Sequence, residues 1–221
     1  MPPPGVHGKI GRSQLYIISG PSGAGKGTIV QGLLARRPDL VLSVSYTTRS
    51  PRPTERDGVH YHFVTPETFA LMRQRGEFVE CAEVHGNHYG TSRKAIEQAL
   101  AAGRDVLLEI DVQGAAQVKR QLPDAVLIFV EPPSLLELEK RLRNRRTEHE
   151  EALSRRLADA YDELRQKRSF DGVVVNDEVD RAVKEVLQLM DNAKGNGAGK
   201  NGLGRNGLGK NGPGGPDKRG V

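Results

Sequence analysis

The chain has 221 residues, of which 36% are hydrophobic and 28% charged, and its net charge at pH 7 is +5. This length suits one sizeable domain with appendages, and the sequence holds no apolar run long enough to span a membrane. Residues 191–221 contain six Lys/Arg and two Asp/Glu, which is +4 of the net charge. The rest of the chain is close to neutral, so the charge does not indicate a nucleic-acid-binding domain.

The N-terminus and the cysteine content favour a cytoplasmic protein. Residues 1–14 are expected to form a flexible lead-in, and they lack the apolar core of a signal peptide. The single cysteine, Cys81, cannot form an internal disulfide, which agrees with a reducing compartment. Cys81 lies in a strand-like segment, so a buried small hydrophobic residue is expected there rather than a catalytic thiol.

A phosphate-binding loop is predicted between the first strand, Leu15–Ser19, and a helix over residues 28–35. The spacing from Gly20 to Gly25-Lys26 matches the P-loop pattern, in which backbone N–H groups, a helix N-terminus and a lysine bind phosphate. The alternative is an ordinary glycine-rich turn. The residues predicted to bind ATP here are Gly20, Pro21, Ser22, Gly23, Ala24, Gly25, Lys26, Gly27 and Thr28.

A mostly β insert is predicted between residues 40 and 90, a natural place for a second substrate. Its predicted strands are residues 59–64, 78–84 and 87–90. Period-two alternation in the first of these strands places His60 and His62 on one face. They are either metal ligands or surface histidines, and the second interpretation is preferred because no further Cys or His stands at ligand spacing.

The second half of the chain is predicted to alternate between strands and helices. Apolar residues 106–111, 126–130 and 173–176 are predicted strands, which indicates an α/β fold with a parallel sheet. A C-terminal helix is predicted from the i, i+4, i+7 stripe formed by Val179, Val183, Val186, Leu187 and Met190.

Residues 134–169 are predicted to form long helices dense in charge. Arginines cluster at positions 141, 143, 145 and 146. They are either a solvated helical face with i, i+4 ion pairs or a mobile arm that brings arginines onto transferring phosphates. The presence of a P-loop in the same chain favours the second interpretation.

The last segment, residues 191–221, is predicted to be disordered. From residue 196 it repeats the pattern Asn-Gly-x-Gly-Lys/Arg, which offers almost nothing apolar to bury. Its spaced cations are expected to contact polyanions weakly at most, and such contact should be lost as salt rises.

Downstream of the P-loop the sequence resembles guanylate kinase. The block that carries most of the resemblance is Ser45-Tyr46-Thr47-Thr48-Arg49-Ser50-Pro51-Arg52. Further matching blocks are residues 58–64, 77–80, 86–91, 108–114, 147–148 and 174–177. The resemblance covers about residues 13–190. It implies a P-loop nucleoside monophosphate kinase fold with a three-layer parallel-sheet core within residues 15–190. A GMP-binding insert over about 43–91 and a helical lid over about 134–160 complete the implied domain.

The implied reaction is ATP + GMP ⇌ ADP + GDP, with Mg²⁺ accompanying ATP and with no membrane or specific nucleic-acid partner. The resemblance assigns the GMP phosphate to Arg49, Arg52, Tyr61 and Tyr89, and the guanine to Ser45, Glu80, Thr91 and Asp111. Arginine forks suit phosphate oxygens. A carboxylate at position 80 suits the N1–H and amino donors of guanine. Without the resemblance, Arg49 and Arg52 would be expected in a proline-restrained surface loop.

The resemblance also implies the remaining site residues. The implied catalytic residues are Lys26, Arg49, Arg141, Arg145 and Arg156. Asn176 is implied near the adenine of ATP, and Glu109 and Asp111 are candidates to hold Mg²⁺ through water. No general base is needed, because a GMP phosphate oxygen is already ionised at neutral pH.

Two residues depart from the expected pattern. Gly27 replaces the hydroxyl residue of the general P-loop, and Arg146 stands where the family usually has glycine. Arg146 either stiffens the lid or adds a phosphate contact.

The alternatives for the whole chain are a non-catalytic interaction module of the same fold and a kinase for another small phosphate ester.

Overall fold

The computed structural model describes residues 13–84, 86–143 and 150–199. The strands are β1 (Leu15–Ser19), β2 (Val41–Leu42), β3 (Tyr46–Thr47), β4 (His62–Phe63), β5 (Phe78–Val84), β6 (Asn87–Ser92), β7 (Val106–Glu109), β8 (Val126–Glu131) and β9 (Gly172–Val175). The helices are α1 (Lys26–Arg36), α2 (Pro66–Gln74), α3 (Arg93–Ala101), α4 (Val112–Gln121), α5 (Leu135–Arg143), α6 (Glu150–Arg165) and α7 (Val179–Gly199), with a 3₁₀ turn at Gln166–Ser169.

Five strands form a parallel sheet in the order β2-β7-β1-β8-β9. Side chains alternate across the sheet. In β1, Tyr16 and Ile18 pack in the core that includes α1 and α7, while Leu15 and Ile17 pack in a second core with α3 and α4. This arrangement confirms the predicted three-layer α/β fold. Because the strands are parallel, their carboxyl ends meet at one edge, where ligands bind in folds of this type.

The predicted strands agree with the main sheet except at its margins. The strand predicted over residues 106–111 ends at Glu109, and Asp111 instead caps the N-terminus of α4. Strand β2 was not predicted, because two residues are too few to show a period. The predicted helix over residues 28–35 begins two residues earlier, at Lys26.

The insert forms a second sheet of four strands in the order β4-β3-β6-β5. The strands predicted over residues 78–84 and 87–90 are confirmed, and as β5 and β6 they pair in the antiparallel direction. The predicted strand over residues 59–64 is mostly wrong, because only β4 is extended there. The N–H of Phe63 donates to the Asp57 carboxylate at 2.8 Å, and residues 58–60 form a turn. That turn exposes 49% of Val59, which the alternation had placed beside Tyr61 and Phe63.

The two histidines of this segment have separate surroundings. The Nδ1 atom of His60 accepts the N–H of Arg56 at 3.1 Å, and His62 packs its ring 4.6 Å from that of Tyr46. Across the described ranges, no three or more His, Cys, Asp or Glu residues are arranged to hold a metal ion. None of the described helices has the length and hydropathy needed to cross a membrane.

Helix α7 continues beyond the predicted boundary at residue 190. Val183, Val186 and Met190 are fully buried, as their stripe predicted. The prediction of disorder from residue 191 is wrong for residues 191–199, which remain helical. An ion pair anchors this part of α7, since Lys194 Nζ lies 2.6 Å from the carboxylate of Asp105, which is almost fully buried. Most of the repeat, residues 200–221, lies outside the described residues.

This anchor predicts different stabilities for two truncated chains. A chain ending at residue 190 loses the Lys194–Asp105 ion pair, although Arg37 still contacts Asp105 at 3.0 Å. We expect it to be less stable than a chain ending at residue 199 by about 1–2 kcal/mol, or roughly 2–8 °C in Tm. Scanning calorimetry of the two chains provides the comparison. Equal Tm values would show that the end of α7 does not stabilise the domain.

Candidate functional site

A cleft of about 550 Å³ opens between the carboxyl edge of the main sheet, the insert and helix α6. The predicted site residues that line it are Gly20, Ser22, Gly23, Gly25, Lys26, Ser45, Arg49, Arg52, Tyr61, Glu80, Tyr89, Glu109, Asp111 and Arg156. The predicted residues that are described but lie outside this lining are Pro21, Ala24, Gly27, Thr28, Thr91, Arg141 and Asn176. Arg145 and Arg146 lie outside the described residues. The fold therefore brings residues of the P-loop and the insert to one cavity.

The P-loop wraps around the side chain of Lys26. The Lys26 ammonium donates to the carbonyls of Gly20 at 2.6 Å and of Pro21 at 3.1 Å. Gly25, at the N-cap of α1, has a φ of 89°, a left-handed conformation that favours glycine. Gly25 has no side chain that could cap α1. The first N–H groups of a helix and the positive end of its dipole favour an anion at this position.

Asn176 supports the P-loop from beneath. Its Nδ2 atom donates to the Ala24 carbonyl at 2.8 Å, and the residue is 4% exposed. A Cβ atom at Gly25 would lie 2.2 Å from the same nitrogen, so only glycine allows this close approach. Arg141 donates to the Asn176 carbonyl at 3.3 Å and to the Glu137 carboxylate at 3.0 Å. Contact of Asn176 with adenine stays a prediction.

The residues expected to bind the GMP phosphate converge around Arg49. Its guanidinium carbon lies 5.5 Å from the centroid of the Tyr61 ring, and the Tyr61 and Tyr89 rings are 5.9 Å apart. Burial, followed by the nearby charge of Glu109, raises the pKa of Tyr61 to about 12. Its hydroxyl is therefore a donor at neutral pH, as an anion-binding group must be.

Glu55 holds the two arginines and was missed in the sequence. Arg49 Nη2 lies 2.9 Å from both Glu55 carboxylate oxygens, and the N–H of Arg52 donates to Glu55 at 2.8 Å. Burial alone would raise the pKa of Glu55, but the hydrogen bonds from Arg52 and Arg49 hold it below the usual value. The available signal was an acidic residue within the stretch from Arg49 to Arg56, which is otherwise basic and rich in proline.

The residues expected to read guanine form a connected polar group at the base of the insert. The Thr91 hydroxyl donates to Glu80 Oε1 at 2.5 Å, and Ser45 Oγ lies 3.3 Å from Thr91 Oγ1. Glu80 is 4% exposed, and this burial raises its pKa to about 7, with a smaller contribution from Asp111. Asp111 accepts the N–H of Gly114 at 2.6 Å, which leaves its second oxygen for another partner.

Helix α6 adds acidic residues that sequence reasoning also missed. Glu163 and Asp159 line the cleft one helical turn apart, on the helix that carries Arg156. Burial raises the pKa of Glu163 to about 7, while the Lys26 charge and a hydrogen bond from the Ser22 N–H act in the opposite direction. The i, i+4 spacing of the two acids was a visible signal, but nothing local indicated that they face the P-loop.

Comparisons with known proteins agree with this architecture. Residues 12–193 match the family model for guanylate kinase. The chain is 54% identical over 176 residues to a guanylate kinase of Aromatoleum aromaticum, an alignment that covers 80% of this chain and 86% of that one. It is 50% identical over 178 residues to a guanylate kinase of Xanthomonas campestris pv. campestris strain 8004, covering 80% and 88%. The crystal structure of guanylate kinase from Anaplasma phagocytophilum is also similar, with a TM-score of 0.70 and 32% identity over 83% of this chain and 87% of that one.

Proposed function

The chain belongs to the guanylate kinase family, and we propose that its cleft binds ATP at the P-loop and GMP at the insert. The enzyme transfers a phosphoryl group from ATP to GMP, giving ADP and GDP. The observation that carries the assignment of the two sites is that Lys26 of the P-loop and Arg49 and Glu80 of the insert line the same cleft. Direct transfer needs the two phosphate groups side by side in one cavity.

On the GMP side, charge and hydrogen-bonding capacity match the ligand. Arg49 and Arg52 supply cationic forks for the phosphate, and the hydroxyls of Tyr61 and Tyr89 add donors without further charge. Glu80 accepts the N1–H and amino hydrogens of guanine, while Ser45, Thr91 and Asp111 surround it. Adenine has an acceptor at N1, which would leave the buried Glu80 unpaired at a cost of about 1–3 kcal/mol.

The raised pKa of Glu80 predicts that GMP binds more weakly in acid. GMP requires an ionised carboxylate here, and the free protein protonates this carboxylate as the pH falls through about 7. At saturating ATP we expect the KM for GMP to rise up to about 10-fold per pH unit below that value.

The GMP phosphate itself takes up a proton near pH 6, so Glu80→Gln is the matched control in the same kinetic pH series. Its KM for GMP should lose the break near pH 7 and keep the one near pH 6, whereas any pH effect of Glu163, which faces Lys26 and the P-loop, should remain in both proteins. Identical pH profiles for the two proteins would contradict the assignment of Glu80.

On the ATP side, residues 20–28 surround the phosphates, with Lys26 at the β- and γ-phosphates. The carboxylate oxygens of Glu109 lie 3.7 Å from the position of a Cβ atom on Gly27, so this hard oxygen donor stands at the P-loop. Mg²⁺ prefers such oxygen ligands and retains several waters, which fits Glu109 and Asp111 holding it through water. When bound, Mg²⁺ neutralises charge on the phosphate oxygens.

Transfer itself requires positioning and charge neutralisation rather than a base. The attacking oxygen of GMP is already ionised, so the arginines and Lys26 act by orienting both phosphates and offsetting their charge. Arg156 lines the cleft from α6. Arg141 hydrogen-bonds the Asn176 carbonyl, and Asn176 in turn contacts the P-loop. Arg145 is assigned to the same role. We also propose a cytoplasmic location, which the single cysteine supports.

The experiment that tests this function is a coupled assay of ADP release with Mg²⁺-ATP and each of the four nucleoside monophosphates. GMP should be phosphorylated readily, and AMP, CMP and UMP should remain nearly untouched. Equal turnover of AMP and GMP would overturn the assignment of Glu80 to guanine. A non-catalytic module of the same fold would give no turnover, but such a module has no need for Lys26, Arg49, Arg52 and Glu80 together.

A further inference from the structure

The outer edge of strand β5 is hydrogen-bonded by the side chain of Gln117. β5 lies at the edge of the insert sheet, so every second residue turns its N–H and C=O away from β6. Gln117 Oε1 accepts the Cys81 N–H at 3.2 Å, and its Nε2 donates to the Cys81 carbonyl at 2.9 Å. One side-chain amide therefore replaces a neighbouring strand at this residue.

A second glutamine bonds the carbonyl of the residue two positions earlier on β5. Gln121 Nε2 donates to the Val79 carbonyl at 2.6 Å. Its Oε1 accepts a hydrogen bond from Arg93, whose guanidinium also reaches the Phe78 carbonyl. The backbone on both sides of Glu80 is thus attached to α4, a helix of the main domain.

The same face of α4 also limits the position of the Glu80 side chain. Gly114, Gln117 and Gln121 follow one another at spacings of three and four residues, so they lie on one face of the helix. A Cβ atom at Gly114 would stand 2.7 Å from Glu80 Oε2. The missing side chain at residue 114 is what lets the Glu80 carboxylate lie against the first turn of α4.

We propose that this face of α4, formed by Gly114, Gln117 and Gln121, positions Glu80 for guanine and so sets base specificity from outside the binding site. The three residues act through Glu80 and are positioning residues, not catalytic ones. The proposal rests on the proposed function, since Glu80 must be the acceptor for guanine. The new element is that Glu80 is held in place by α4 of the main domain rather than by the insert sheet to which Glu80 belongs.

The first test compares Gln117→Leu with wild type and with Gln98→Leu, a matched change at an exposed position of α3. Leucine has a similar size but leaves the N–H and carbonyl of Cys81 without their partner. We expect the KM for GMP to rise about 10-fold while the KM for ATP changes less than about 2-fold. Gln98→Leu should match wild type in both constants.

The second readout is discrimination between GMP and IMP, which lacks the 2-amino group. A displaced Glu80 loses its bond to that amino group, so the ratio of kcat/KM for GMP to that for IMP should fall at least about 3-fold in Gln117→Leu. A purely structural role would lower both values together and leave the ratio unchanged. An unchanged ratio in a folded variant overturns the proposal.

Gly114→Ala keeps the proposal testable if Gln117→Leu fails to fold. Alanine favours the helix, which offsets part of the cost of the close contact, so the variant is expected to fold while its methyl group displaces the Glu80 carboxylate. The same loss of GMP over IMP discrimination is expected, and wild-type discrimination in this variant overturns the proposal. Failure of the proposed function is distinguishable, because wild type itself would then not prefer GMP over IMP and AMP.

Discussion

Lys26→Ala is expected to lower kcat by about 10²–10³-fold, the loss typical of removing one group that stabilises charge in a transition state. The Lys26 ammonium lies inside the P-loop, where it contacts the carbonyls of Gly20 and Pro21. Bound phosphates would compete with these carbonyls for the same charge. The substitution removes that charge and the internal support of the loop, while the cores on both faces of the sheet are untouched.

The measurement is steady-state kinetics at saturating ATP and GMP, with Tm followed in parallel. Lys184→Ala, at an exposed position of α7, is the matched control and should retain wild-type rates. If Lys26→Ala kept more than about half of the wild-type kcat, Lys26 would not stabilise the transferring phosphoryl group.

The substitution Arg49→Ala is also expected to lower activity strongly. We expect kcat/KM for GMP to fall by about 10²-fold, because hydrogen bonds between charged partners contribute about 1.5–3 kcal/mol. The substitution also leaves Glu55, whose side chain is only 11% exposed, without its main cation. An unpaired carboxylate beside the GMP phosphate adds repulsion. The KM for ATP should change little, since Arg49 belongs to the insert.

The double variant Arg49→Ala, Glu55→Gln separates the two contributions. If Glu55 repels the phosphate once Arg49 is gone, the double variant should recover part of the lost kcat/KM for GMP. Varying ATP and GMP in turn provides all the constants required. A larger rise in the KM for ATP than for GMP would mean that the two nucleotide sites have been exchanged.

The P-loop and the main sheet could be predicted from the sequence because their signals are local. The spacing of Gly20, Gly25 and Lys26 matches a known pattern. The buried strands of the main sheet are visible as runs of apolar residues. The failures have physical causes as well. The turn at residues 58–60 is closed by backbone hydrogen bonds from Gly58 to the Tyr61 carbonyl and from His60 to the Arg56 carbonyl, which no period reveals. The end of α7 contacts the domain through Lys194 and Asp105, which are far apart in sequence.

In the candidate site, too, some residues could be predicted from the sequence and others could not. The family resemblance assigned the GMP phosphate to Arg49 and Arg52 and the guanine to Glu80, and both assignments stay predictions. The residues that position these groups were not predicted. Glu55, Gln117 and Glu163 look like ordinary polar residues until the fold places them against Arg49, the edge of β5 and the P-loop. Their roles depend on tertiary neighbours, which spacing along the chain does not encode.

We propose that one cleft holds ATP at the P-loop and GMP at the insert with their phosphates adjacent. The most direct test is calorimetric titration with a compound that joins adenosine to guanosine through five phosphates. Because linking two ligands that fit adjacent sites raises affinity, we expect a Kd at least about 100-fold below that of GMP alone. The compound should compete with both ATP and GMP, and the diadenosine analogue should bind more weakly. Affinity no better than that of GMP, or competition with only one nucleotide, would show that the two phosphate sites are not adjacent in one cleft.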